Sequence, residues 1–149
     1  MAGIFGRMAD ILKANVNDFL DKSEEPEKMI KQMVIEMEEA VNKATTAVGS
    51  AIANQKRLEK QYNENKKSSD DWQNKAVQAV NAGRDDLAAQ ALTKKATFAN
   101  AATSLQPILE QATKSAEQMK VQLGQLKAKL DEARVKQNTL IARNEAAKA

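Results

Sequence analysis

The side chains whose types and spacing promise chemistry lie in residues 1–22, MAGIFGRMADILKANVNDFLDK. At the roughly 100° step of a helix, Ile4, Phe5, Met8, Ile11, Leu12, Val16, Phe19 and Leu20 fall on one half of the wheel. Arg7, Asp10, Lys13, Asn17 and Asp21 fall opposite. Two of the three phenylalanines of the chain sit in this stretch. The chemistry such a face can do is burial of apolar surface, with Arg7 and Lys13 placed to attract anionic headgroups. Arg7, Lys13 and Lys22 are balanced by Asp10, Asp18 and Asp21, so burial rather than charge should drive any insertion. The residues alone leave two occupants open for this face: a lipid surface, or a groove on a protein partner.

Bond-making chemistry is disfavoured by composition. With no His and no Cys, the chain lacks the commonest general base and the usual transition-metal ligands. A carboxylate enzyme would need a pocket that long helices rarely supply, so a non-enzymatic protein without metal or cofactor is expected. Lys+Arg of 23 against Asp+Glu of 20 gives a net charge of +3, mixed along the chain. The longest basic runs are the pairs Lys66-Lys67 and Lys94-Lys95, too short for a nucleic-acid patch. No apolar run approaches the roughly 20 residues of a membrane span. Asp10, Lys13 and Asp18 interrupt what would be the apolar region of a signal peptide, so a cytoplasmic protein is expected.

The elements that must carry the N-terminal face are helical. The chain has 5 Gly, 2 Pro and 3% aromatics, the profile of long helices. After Pro26 a seven-residue repeat runs through Ile30, Val34, Met37, Val41, Ala44, Val48, Leu58, Tyr62, Ser69, Trp72, Ala76 and Ala79. A second repeat follows Gly83, through Ala88, Ala91, Phe98, Ala102, Leu105, Leu109, Ala116, Leu123, Leu126, Leu130, Ala133 and Leu140. Repeats sustained this long indicate coiled coil. Gly83 can end the first helix in the left-handed conformation, and Asp85 can cap the second. Folding there pairs Met37 with Leu130, Val41 with Leu126, Ala44 with Leu123, Leu58 with Leu109 and Ser69 with Phe98.

The expected fold is therefore all-α, an N-terminal amphipathic helix followed by a long antiparallel two-helix coiled-coil hairpin. Residues 1–22 form the first helix and 23–25 a junction; the hairpin occupies 26–145 and a tail 146–149. Its helices run over about 26–81 and 85–145, with the turn near 82–84. Ser23 supplies a capping hydroxyl at the junction, and Pro26 lies in the first turn. Pro107 should clash with the carbonyl of Thr103 and kink the second helix locally. In this pairing the hairpin closes near its ends and offers residues 1–22 no seam position. Met29, Met33, Ile35, Ile52, Val77, Leu87, Leu92, Ile108, Val121, Val135 and Ile141 lie off the seam and suggest packing against further hairpins. Glu36, Glu38 and Glu39 near the base of the first helix contrast with Lys114, Lys120, Lys127 and Lys129 on the second, and such charges could set the register between neighbours.

The opening GIFGRMADILKANVNDFLDK, the junction SEEPEKMIKQMVIEMEE and the turn segment WQNKAVQAVNAGRDDLAAQAL resemble phage shock protein A and its relatives. That family includes the vesicle-inducing protein in plastids and, more distantly, ESCRT-III. The resemblance runs from residue 3 to about 145. It implies membrane contact by the N-terminal helix on anionic phospholipid, and assembly of the hairpin with itself into rods or rings. It implies a role in protecting or remodelling the bacterial inner membrane under envelope stress, from the inner face of that membrane. Some members inhibit an AAA+ transcription activator, which makes a soluble regulatory module the alternative. By the same resemblance Arg84, Asp85 and Asp86 support assembly. Family members usually continue with further helices, whereas this sequence stops at Ala149.

Overall fold

A computed structural model describes Lys13 and residues 15–148. Among these the elements are a short helix α1 (Val16–Asp21) and two long ones, α2 (Pro26–Asn81) and α3 (Asp85–Lys148). No described residue is in a strand. The chain divides into two compact units. A terminal unit takes Met1–Gly49 with Glu117–Ala149, and a turn unit takes Ser50–Ala116.

The turn that makes the hairpin follows from one glycine. Gly83 has φ of 73°, open to glycine but strained for a residue with a Cβ. Arg84 N–H donates to the Ala79 carbonyl at 2.8 Å and Gly83 N–H to the Val80 carbonyl at 3.0 Å, the paired bonds of a Schellman ending. The next helix departs from expectation by one residue. The Arg84 carbonyl accepts the first helical bond, from Ala88 N–H at 3.0 Å, so Arg84 occupies the cap position and Asp85 the first turn. Asp85 and Asp86 there complement the positive end of the helix dipole.

The heptad positions become the seam. In the terminal unit Ile30, Val34, Met37, Ala44 and Val48 of α2 are buried, as are Leu123, Leu126, Leu130 and Ala133 of α3. In the turn unit Leu58, Ser69, Ala76, Ala88, Ala91, Ala102 and Ala116 are buried. Tyr62, Trp72, Phe98, Leu105 and Leu109 are half-buried between those layers. Lys95 Nζ reaches across to Gln73 Oε1 at 2.6 Å, and Lys94 Nζ stands 4.8 Å from the Trp72 ring centroid. Both contacts fall where the pairing of Ser69 with Phe98 puts them.

Two local expectations are revised, at Glu38 and Ser23. Helix α3 continues past Pro107. The proline is exposed, so the Thr103 carbonyl it leaves unbonded can be met by water. Glu38, expected to face a neighbour, is paired with Arg134 across the hairpin at 3.1 Å. Ser23 does not cap α2: its hydroxyl accepts from Glu25 N–H at 3.2 Å and shapes the turn instead. The Glu25 carbonyl accepts from Met29 N–H, which puts Pro26 at the first helical position, where its missing N–H costs nothing.

Candidate functional site

Of the residues expected to face a membrane, Ile4, Phe5, Arg7, Met8, Ile11 and Leu12 lie outside the described residues. Lys13, Val16, Phe19 and Leu20 lie within them. Lys13 is helical and exposed. Two residues later the expected single helix over 1–22 is interrupted. Asn15 is extended, with φ −94° and ψ 108°, and starts a new helix. Its side-chain oxygen accepts from Asn17 N–H at 3.0 Å and Asp18 N–H at 3.4 Å. Its carbonyl accepts from Phe19 N–H at 3.2 Å. An asparagine that satisfies the free N–H groups of a first turn is a strong helix start, and Asp18 adds a negative charge beside the positive helix end.

Six residues of helix cannot stand alone, since a nucleus this short is unstable without packing. The packing comes from Val16 and Leu20, one turn apart on the same side of α1. They are 1% and 4% exposed and belong to one cluster with Ile30, Val34, Met37, Leu130 and Ala133. Met29 and Met33 pack against that cluster, as do Val41 and Leu140. The expectation that the hairpin offers residues 1–22 no place is therefore not met at Val16 and Leu20. Met29 and Met33 stand off the two-helix seam, yet they are half-buried because a third element shares the core. Phe19 behaves differently. It is 52% exposed, the one large apolar side chain of α1 left to solvent.

Two signals in the sequence could have found this. Asn15 followed by Asp18 is the cap pattern of a helix start. Met29 and Met33 form an off-seam apolar pair one turn apart, which asks for a third helix at that end of the hairpin.

The other candidate residues, Arg84, Asp85 and Asp86, are all exposed in the turn unit. Arg84 reaches over the turn to Asp86, with Nε and an Nη each 3.3 Å from a carboxylate oxygen. That guanidinium, with a smaller contribution from Leu87 N–H, holds the Asp86 carboxyl below the usual aspartate value. These groups can shape the turn and offer a charge pair to a partner.

No helix among the described residues is long and apolar enough to cross a membrane. No group of His, Cys, Asp and Glu among them could hold a metal ion. The remaining apolar surface is dispersed. Ile35, Val121, Val135 and Ile141 are exposed in the terminal unit, and Val77, Val80, Leu87, Leu92 and Ile108 in the turn unit. Of the off-seam residues, Ile52 is half-buried.

Comparison with known proteins finds relatives over nearly the whole chain. The family model described as PspA/IM30 family matches residues 3–149. The chain is 39% identical over 147 residues to a protein named "Membrane-associated protein Vipp1" from Nostoc punctiforme, covering 99% of this chain and 57% of that relative. It is 36% identical over 148 residues to a phage shock protein A homolog from Deinococcus radiodurans, covering 98% of this chain and 66% of the relative. Protein LiaH of Bacillus subtilis is 33% identical over 146 residues, covering 98% of this chain and 65% of the relative. The chain thus spans a little over half the length of the Nostoc relative it matches. With its all-helical hairpin and the match over residues 3–149, the chain belongs to the PspA/IM30 family.

Proposed function

We propose that this chain is a peripheral membrane-binding, self-assembling scaffold that protects or remodels the bacterial inner membrane under envelope stress. The observation that carries the reading is Phe19, 52% exposed on α1, at the end of the apolar pattern that the N-terminal sequence carries. The name of the Nostoc relative, a membrane-associated protein, supports it.

Ile4, Phe5, Met8, Ile11, Leu12 and Phe19 would enter the boundary between headgroups and acyl chains. Arg7 and Lys13 would meet anionic phospholipid. The site would be the inner face of the cytoplasmic membrane. Assembly with further copies would use the apolar side chains left exposed along the hairpin, with Arg84, Asp85 and Asp86 at the turn.

Co-sedimentation with vesicles of anionic phospholipid tests the membrane reading. Phe5→Asp together with Leu12→Asp should abolish binding, because each change places a charge where apolar burial supplies the affinity. Sedimentation of this variant at the level of the unaltered chain would sink the proposal. Binding that appears only with a protein partner, and never with vesicles, would favour a regulatory protein–protein module instead.

A further inference from the structure

We propose that α1 is the fixed end of the membrane-binding segment: Val16 and Leu20 stay in the core of the terminal unit while the chain is on a lipid surface, and Phe19 carries lipid contact within α1. The inference rests on the membrane reading above and divides the N-terminal apolar face into two parts with different partners.

Three observations carry it. Val16 and Leu20 are almost fully buried, in one cluster with Ile30, Val34 and Leu130, whereas Phe19 on the same short helix is half open to solvent. Next, Asn15 is extended and satisfies the first amide groups of α1, so α1 is complete without help from the residues before it. The direction of the chain can change there while α1 keeps its place. Last, Asn17, Asp18 and Asp21 are exposed on α1, and deep insertion of the whole helix would take them out of water.

The exchange also has no driving force. A bilayer interior is about as apolar as a packed core, so moving Val16 and Leu20 from one to the other gains nothing. Their departure would uncover Ile30, Met29 and Met33 to water, and that is unfavourable. The N-terminal face therefore ends in a rivet. What enters lipid is tethered to the hairpin through six residues of ordered helix rather than through a flexible joint.

The test compares vesicle binding with thermal stability. Val16→Ala/Leu20→Ala should lower the melting midpoint of the chain by about 5 °C or more, and by the same amount with and without saturating phosphatidylglycerol vesicles. Its vesicle affinity should stay within about threefold of the unaltered chain, since neither side chain is in lipid. Phe19→Asp should weaken vesicle binding by about tenfold or more and leave the midpoint in buffer nearly unchanged. A larger loss of affinity in the double variant would put Val16 and Leu20 in lipid. A larger gain would mean that α1 is released on binding. Either result overturns the inference, as would a midpoint drop that vanishes with vesicles. Val16→Ala alone gives the same readout with a smaller shift if the double variant loses its helical signal. Failure of the unaltered chain to sediment would sink the membrane reading and this inference with it. The midpoint drop in buffer would then still report the docked helix.

Discussion

The two units are built on the same heptad plan but filled differently. The terminal unit buries Val16, Leu20, Ile30, Val34, Met37, Leu126 and Leu130, large side chains from three elements. The turn unit buries Ala76, Ala88, Ala91, Ala102 and Ala116, with Leu58 its one large fully apolar buried residue. Burial of a Leu, Ile or Val contributes about 1.5–3 kcal/mol, far more than burial of an alanine methyl. The turn unit compensates with directional contacts. Lys75 and Lys94 lie 4.1 and 4.8 Å from the Trp72 ring centroid, and Lys95 reaches Gln73. Alanines let two helices approach closely but leave little area to bury. The unit joined to the N-terminal segment therefore holds more of the stability, while the turn unit holds its shape through contacts at particular residues.

The same truncation in both units should have the most unequal effect. Leu126 has no exposure and Leu58 is 6% exposed. Leu126→Ala should cost about 4 kcal/mol and Leu58→Ala about 2 kcal/mol, since Leu58 keeps some exposure in a seam of only two helices, whereas Leu126 is wholly buried in a unit built from three elements. Denaturant unfolding followed by hydrogen exchange reads both. The loss from Leu126→Ala should spread through the terminal unit, and that from Leu58→Ala should stay within the turn unit. Equal losses would show that alanine-rich packing is no weaker here.

Glycines sharpen the contrast next. Gly83 sits at φ of 73°, and Gly83→Ala should cost about 1–2 kcal/mol by forcing a Cβ into that region. Gly49 is an ordinary helical residue of the terminal unit, and a Cβ added there meets nothing within 4 Å. Gly49→Ala should therefore stabilise by about 1 kcal/mol through helix propensity alone. Opposite shifts of the two melting midpoints are the expected result. A gain at both positions would remove the turn geometry as the anchor of the turn unit.

These contrasts also mark what the sequence could and could not tell. The heptads read out the hairpin because every residue of a two-helix seam repeats on a seven-residue period, and Gly83 has one use at a chain reversal. The docking of Val16 and Leu20 was hidden because their period matches that of the residues before them, so the wheel joined them to one face. Periodicity reports that a face is apolar; it does not say against what. The break at Asn15 decides it, and that is a single capping residue inside a regular pattern. The pairing of Glu38 with Arg134 was hidden too, because long charged side chains choose among several partners that the sequence places at similar distance.

Asn15 offers the next smaller effect. Asn15→Ala removes the side-chain acceptor for Asn17 and Asp18 and should cost about 1 kcal/mol, whereas Asn15→Gly should cost only a few tenths. Amide exchange at Asn17 and Asp18 should quicken in the alanine variant while the turn unit is unaffected. If both variants exchange as the unaltered chain does, packing by Val16 and Leu20 suffices to hold α1 and the cap is incidental.

The smallest effect belongs to the turn. The Arg84 guanidinium and then Leu87 N–H hold the Asp86 carboxyl below its ordinary value of 3.8. A carboxyl whose folded value is depressed adds stability that is fully present above the unfolded value and lost as pH falls through the folded one. The loss should therefore fall below pH 3.8, where the unfolded carboxylate is already taking up protons. Asp86 is exposed and its bonds to Arg84 are 3.3 Å long, so water and salt screen the interaction. Carboxyl titration by NMR should place the Asp86 midpoint below the ordinary value, and Arg84→Gln should return it most of the way. Molar salt should do the same in the unaltered chain, because screening then acts over about 3 Å. If the midpoint stays low in Arg84→Gln, the backbone amide of Leu87 dominates instead. The charge at the start of α3 would then be held by the helix end itself, and Arg84 would be left free to meet a partner.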